Sequence, residues 1–199
     1  MKEIAFDFDG TLVDSLAVTV EVLNEILPKF GLRRVKREEV DFFRKNGARA
    51  TIKKSGLSWW KIARINGAVK RALRERMKEV RMIAGMEKLW QDLKREGWRI
   101  GLVSSNDRKN IRFKADYVIA GGSLLGKARL LRKLKKNTIY VGDEVRDIEA
   151  ARKAGVKIIA VSWGFNDKEA LKRAKPDYLV ETVAELRKLL IELVLESTE

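Results

Sequence analysis

The sequence predicts an α/β fold: a mostly parallel sheet with helices on both faces, and a small all-helical insertion after the first strand. Three observations predict it. From residue 86 onward, short apolar runs of strand length alternate with stretches whose apolar residues recur at helical spacing. Residues 15–85 keep a helical pattern and contain no convincing strand. The residues equipped for chemistry recur where strands end, which is the edge at which open parallel sheets bind ligands.

Ile4-Ala5-Phe6-Asp7-Phe8 reads as a buried first strand running into Asp9-Gly10-Thr11, a turn whose glycine supplies backbone angles that other residues avoid. Side chains alternate along a strand, so Asp7 and Asp9 are expected on one side and Phe6 and Phe8 on the other. Two acids in an apolar strand repel one another and lose hydration unless a cation or a shared proton compensates. A divalent metal with oxygen ligands does so most simply, and Mg2+ suits a site with few carboxylates and room for phosphate oxygens.

Leu16, Val20, Leu23 and Leu27 then mark a helix over 15–30, closed by Gly31. Short helices are expected near 37–45 and 48–54, and a longer one runs from Ser58, a good N-cap, through Ile62, Ile65, Val69, Leu73 and Val80. Between the short helices, Arg44, Lys45, Asn46, Gly47 and Arg49 form a basic stretch suited to facing an anion, or an exposed charged turn. Trp59 and Trp60 are expected to pack within the insertion rather than to form a platform for a substrate ring.

Met86, Leu89, Trp90 and Leu93 make one apolar helix face ended by Gly97, followed by a strand from Arg99 to Val103 that runs into Ser104 and Ser105. A hydroxyl at such a strand end caps a helix or binds a phosphoryl oxygen. Asp116 to Ile119 is a further strand. Lys127 opens the next helix, which carries Leu130, Leu131 and Leu134; a cation there opposes the helix dipole and points to an anionic partner. Thr138 to Val141 forms another strand ending in Gly142-Asp143, and Asp147, four residues on, shares a helix face with it. Glu144 between them either adds charge or faces solvent. Lys157 to Ser162 is the next strand, Asp177 to Val180 a short edge strand, and Val183, Leu186, Leu189, Leu190 and Leu193 mark a final helix.

The chain has 199 residues, 45% of them hydrophobic, enough for one core and an accessory module. No apolar run approaches the roughly 20 residues that span a bilayer, and the first strand begins at once, so neither a membrane anchor nor a signal peptide is expected and the location expected is cytoplasmic. With no Cys and no His, the chemistry falls to carboxylates, hydroxyls, lysines and metal. Charged residues make up 36% of the chain and Gln91 is its one glutamine, a balance resembling proteins of hot environments. The net charge of +15 attracts anions, but the basic residues are spread through nearly every expected helix rather than gathered in one tail, so a phosphorylated substrate is expected rather than nucleic acid.

Asp7-Phe8-Asp9-Gly10-Thr11, extended by Leu12-Val13-Asp14-Ser15, resembles the first motif of the haloacid dehalogenase superfamily of phosphotransferases. Ser104 after its strand, Lys127 at its helix start, and Gly142-Asp143 with Asp147 resemble the second, third and fourth motifs, in order. The chain is similar to the superfamily's phosphoglycolate-phosphatase-like members with a helical cap. The resemblance implies a Rossmann-like core over 1–14 and 86–199, a cap over 15–85, and a Mg2+-dependent phosphatase for a small phosphorylated metabolite. It implies Asp7 as nucleophile and Asp9 as acid and base. Mg2+ would sit on Asp7, Asp143 and the backbone carbonyl of Asp9, with Asp147 holding a metal-bound water or Lys127. Thr11, Ser104, Ser105 and Lys127 would bind the phosphoryl oxygens, and Arg49 of the cap the distal end of the substrate. Asp9 argues against dehalogenase or phosphonate chemistry, which usually lacks that acid. A sugar phosphomutase and a noncatalytic binding protein stay open, as do a monomer and a dimer.

Overall fold

Side-chain alternation in β1 (Glu3–Asp7) sets the two faces of the molecule. In the computed structural model, which describes residues 2–105, 108, 111, 113–121 and 126–196, Ile4 and Phe6 point into one apolar layer and Ala5 into the other. Asp7 continues the Ala5 side. The remaining strands are β2 (Arg99–Ser104), β3 (Tyr117–Ala120), β4 (Ile139–Gly142), β5 (Ile158–Val161) and β6 (Tyr178–Val180). They form one sheet in the order β3-β2-β1-β4-β5-β6, with every described pairing parallel. The strand order reverses between β1 and β4, so a crevice opens beyond their carboxyl ends.

Helices cover both faces. α4 (Met86–Arg95) and α8 (Val183–Glu196) pack Met86, Leu89, Leu93, Leu186 and Leu190 on the Phe6 side. On the Ala5 side, α5 (Lys127–Leu131), α6 (Val145–Ala154) and α7 (Lys168–Arg173) pack Leu131, Ile148, Ala151 and Leu171. The small residues Ala150 and Ala151 let α6 lie close on the sheet, and Gly155 ends it in the left-handed region.

Between β1 and α4 the chain is helical: α1 (Leu16–Ile26) with a short 3-10 turn (Leu27–Phe30), α2 (Arg37–Ser55) and α3 (Trp59–Arg76). Val22, Ile26, Ile65 and Val69 of α1 and α3 form a separate apolar cluster. The two connections to the sheet run side by side, with Asp14 N–H donating to the Arg81 carbonyl at 2.9 Å and Ile83 N–H to that of Leu12 at 3.0 Å.

The expected elements need adjustment. β1 stops at Asp7, because Phe8 already bends into the turn. The two short helices near 37–54 are one run broken at Gly47, whose φ of 77° lies outside the helical region. α3 ends at Arg76 rather than Val80, and α5 at Leu131, so Leu134 lies in a turn. α7 was not expected. Trp59 and Trp60 do not pack: they are 68% and 77% exposed, because they fill the first two positions of α3 and its buried stripe begins only at Ile65.

Candidate active site

The carboxyl ends of β1 and β4 bring the acids together. The β1–β2 register sets Asp7 beside Val103, so Ser104 lies one step further along the neighbouring strand. On the other flank β4 ends at Gly142, and Asp143 and Asp147 follow around the start of α6. Each of Asp7, Asp143 and Asp147 offers an oxygen within 4.8 Å of the others, and all three are buried. Gly142 is required here, since a Cβ would overlap Asp147.

Lys127, the first residue of α5 and 3% exposed, projects into this cluster. Its Nζ lies 2.6 Å from Asp7 Oδ2 and also pairs with Asp147 Oδ1. Burial opposes its charge, but Asp147 and Asp7 outweigh burial and raise its pKa. Asp147 Oδ2 accepts from Glu144 N–H at 3.1 Å, which orients the carboxylate at the helix start. Glu144 does not face solvent: it is buried and paired with Arg146.

Asp143 is held at both oxygens. Thr11 Oγ1 donates to Oδ1 at 2.7 Å, and Phe165 N–H donates to Oδ2 at 2.7 Å. Gly10, at φ 77°, and Gly164 let two backbone segments pass against this carboxylate, where a Cβ on either would overlap it. Burial first, then Glu144, Asp147 and Asp7, push the Asp143 carboxyl well above its ordinary range. Burial also raises Asp7, with Lys127 opposing and Asp147 adding to the rise. The cluster gathers three buried carboxyls around Lys127 in an environment that disfavours their charge without a further cation, and its donors are all carboxylate oxygens. Both features fit a hard divalent cation such as Mg2+.

Asp9 is half-buried in the turn beyond β1, outside the regular strand, and more open than Asp7. Ser104 is buried, and the Oγ of Ser105 is buried with no hydrogen-bond partner among the described residues. Such an orphan suits an incoming oxyanion. Thr11 has its hydroxyl on Asp143. Arg49, 73% exposed in its side chain, lies 3.5 Å from Glu149 of α6. Asn106 and residues 122–125, from the loops of the second and third motifs, lie outside the described residues.

Sequence reasoning missed Asn166. Its buried amide joins α2 to the first turn of α6. A lone Asn before an N-capping Asp167 reads as a polar turn, and nothing local in the sequence signals this use.

The model of the haloacid dehalogenase-like hydrolase family matches residues 4–116, and a second, HAD-hydrolase-like model matches 123–186. Among curated proteins, the chain is 36% identical to a phosphoglycolate phosphatase of Synechococcus elongatus, covering 98% of this chain and 99% of that one. It is 26% identical to the pyrophosphatase PpaX of Bacillus mycoides, over 96% of this chain and 97% of that one. A solved structure described as a predicted phosphatase from Clostridium acetobutylicum superposes with a TM-score of 0.82 at 23% identity, covering 96% and 98% of the two chains. That last likeness concerns the fold alone.

Proposed function

Because the chain belongs to the haloacid dehalogenase-like hydrolases, we propose that it is a metal-dependent phosphatase that cleaves a small phosphate monoester through an aspartyl phosphate on Asp7. The observation that carries this reading is the buried set of Asp7, Asp143 and Asp147 around Lys127 at the crevice of the sheet.

In the first transfer a carboxylate oxygen of Asp7 attacks phosphorus as the ester O–P bond breaks, and Asp9 protonates the leaving alcohol. In the second, Asp9 takes a proton from a water that attacks the same phosphorus, and Asp7 is released as a carboxylate. Asp9's more open position suits a group that meets solvent and substrate in turn. Lys127 holds one oxygen of Asp7 and offsets the charge gathering on the phosphoryl group, while Ser104 and Ser105 donate to its oxygens. Asp7, Asp143 and the Asp9 carbonyl would hold Mg2+, which when bound would supply Lewis-acid screening of the charge between nucleophile and phosphate. Thr11 acts through Asp143, fixing that carboxylate by its hydrogen bond. Helices α1–α3 serve as the cap over the crevice and select the substrate.

The relative from S. elongatus makes phosphoglycolate the first substrate to try, and PpaX makes pyrophosphate the second. The test is phosphate release from each, and from a generic aryl phosphate, with Mg2+ and with chelator. Release that requires metal supports the reading. Isomerisation of a sugar phosphate without phosphate release would favour the phosphomutase instead.

A further inference from the structure

The segment 163–167 between β5 and α7 carries none of the reacting groups, yet it touches both parts of the molecule. On the core side, Phe165 N–H donates to Asp143 Oδ2 at 2.7 Å, and Asn166 N–H donates to the Asp143 carbonyl at 3.3 Å. Asn166 Oδ1 accepts from Val145 N–H at 2.9 Å, at the first residue of α6. Gly164 leaves the Asp143 carboxylate room to sit against the segment.

On the other side the same residues hold α2. Asn166 Nδ2 donates to the carbonyls of Phe43 and Arg44 at 3.3 and 2.9 Å, and Asp167 N–H donates to the Arg44 carbonyl at 3.0 Å. The Phe165 ring meets Phe43 edge-on, with centroids 6.1 Å apart. Arg173 of α7 reaches the Lys45 carbonyl at 2.6 Å. These acceptors stand just before Gly47, where the helical backbone is broken and the preceding carbonyls lose their helical partners. The core thus supplies the missing donors of this helix end.

One side chain, 1% exposed, spends its acceptor on the turn that carries Asp143 and Asp147 and its donors on α2. We propose that Asn166 is a positioning residue that makes the seating of α2 and the arrangement of the Asp143–Asp147 turn one cooperative event. A divalent cation on Asp143 then tightens α2 against the core, and a seated α2 raises affinity for the cation by the same factor, since coupling between two sites is reciprocal. The inference rests on the metal reading given above. It also explains why an amide stands here: a carboxylate would turn an acceptor on two carbonyls, and an apolar side chain would leave buried polar groups unpaired.

The test uses the full chain as native, Asn166→Ala, Asn166→Asp and Phe43→Ala. Mg2+ affinity is measured by calorimetry, and amide hydrogen exchange over 37–47 is followed with Mg2+ and with chelator. In the native chain Mg2+ slows exchange over 37–47. In Asn166→Ala, Mg2+ binds at least about fivefold more weakly and no longer alters exchange there. Asn166→Asp keeps the acceptor for Val145 N–H, and so the folded turn, but frees α2 in the same way. Phe43→Ala changes no residue of the acid cluster, yet weakens Mg2+. Equal Mg2+ protection of 37–47 in the native and both Asn166 variants overturns the proposal, as does unchanged Mg2+ affinity in Phe43→Ala. A native chain that binds no Mg2+ overturns the metal reading and this one together, whereas Mg2+ binding without a response in α2 overturns this one alone.

Discussion

Replacing Lys127 with methionine removes the cation that pairs with both Asp7 and Asp147 while keeping a chain of similar length and helix preference. Both acids are buried, so each loses its counter-charge without gaining water. Breaking a buried pair from one side costs about 3–5 kcal/mol. For a domain of this size each kcal/mol moves the melting temperature by about 2–4 °C, so the fall expected is about 6–20 °C in chelator. The three carboxylates remain, and excess Mg2+ at a hundred times its dissociation constant restores about 2.7 kcal/mol. Phosphate release falls about 100- to 1000-fold, the usual consequence of losing a charge-stabilising group. Thermal unfolding of native and variant chains, with chelator and with Mg2+, measures the first two effects. A variant melting within about 2 °C of native in chelator would refute the reasoning that Lys127 holds the acid cluster together.

Thr11→Val keeps shape but removes the hydroxyl that donates to Asp143; loss of a hydrogen bond to a buried carboxylate is expected to cost about 1.5–3 kcal/mol and to weaken Mg2+. Denaturant unfolding and a Mg2+ titration check this, and native values in both would count against it. Glu3 accepts from Tyr117 at 2.9 Å, Thr138 at 3.1 Å and Arg99 at 3.2 Å. Burial pushes its carboxyl up, but these hydrogen bonds outweigh burial and hold it below 4.5. A carboxyl depressed in the folded state stabilises above its ordinary pKa and loses that effect as pH falls through the lower folded value. Glu3→Gln is therefore expected to cost about 1.5–3 kcal/mol at neutral pH, with the gap to native closing as pH drops below 4.5; a gap constant from pH 7 to 3 contradicts it. Trp60→Ser, at an exposed position, should change stability by no more than about 0.5 kcal/mol in chemical denaturation. A loss of 2 kcal/mol or more would show that the ring packs after all.

The charged residues that converge in the crevice were legible because each sits at a point the local pattern defines. Asp7 and Asp143 follow apolar strand runs, Asp147 follows Asp143 at helical spacing, and Lys127 opens a helix where a cation needs a reason. The parallel sheet was legible for the same reason, from short apolar runs separated by helical stretches. Gly47 was visible as a break, though its consequence was not: that the carbonyls before it would be capped by a loop more than a hundred residues away is a tertiary fact. Asn166 belongs to this class, as does the hydrogen bond from Thr11, since neither residue type announces its partner. α7 escaped because its Lys168–Arg173 run is too short and too basic for an apolar period to register. Trp59 and Trp60 misled in the opposite direction. Apolar residue type argued for burial, but their place at the helix start decides their exposure.

The most direct measurement is of the covalent intermediate. The native chain, acid-quenched during turnover of an aryl phosphate with Mg2+, is weighed by intact mass spectrometry and then mapped by peptide. The expected result is a chain heavier by one phosphoryl group, carried on Asp7, and no such species and no phosphate release in Asp7→Asn. Phosphate release at the native rate from Asp7→Asn, or turnover with the phosphoryl group on another residue, would contradict it.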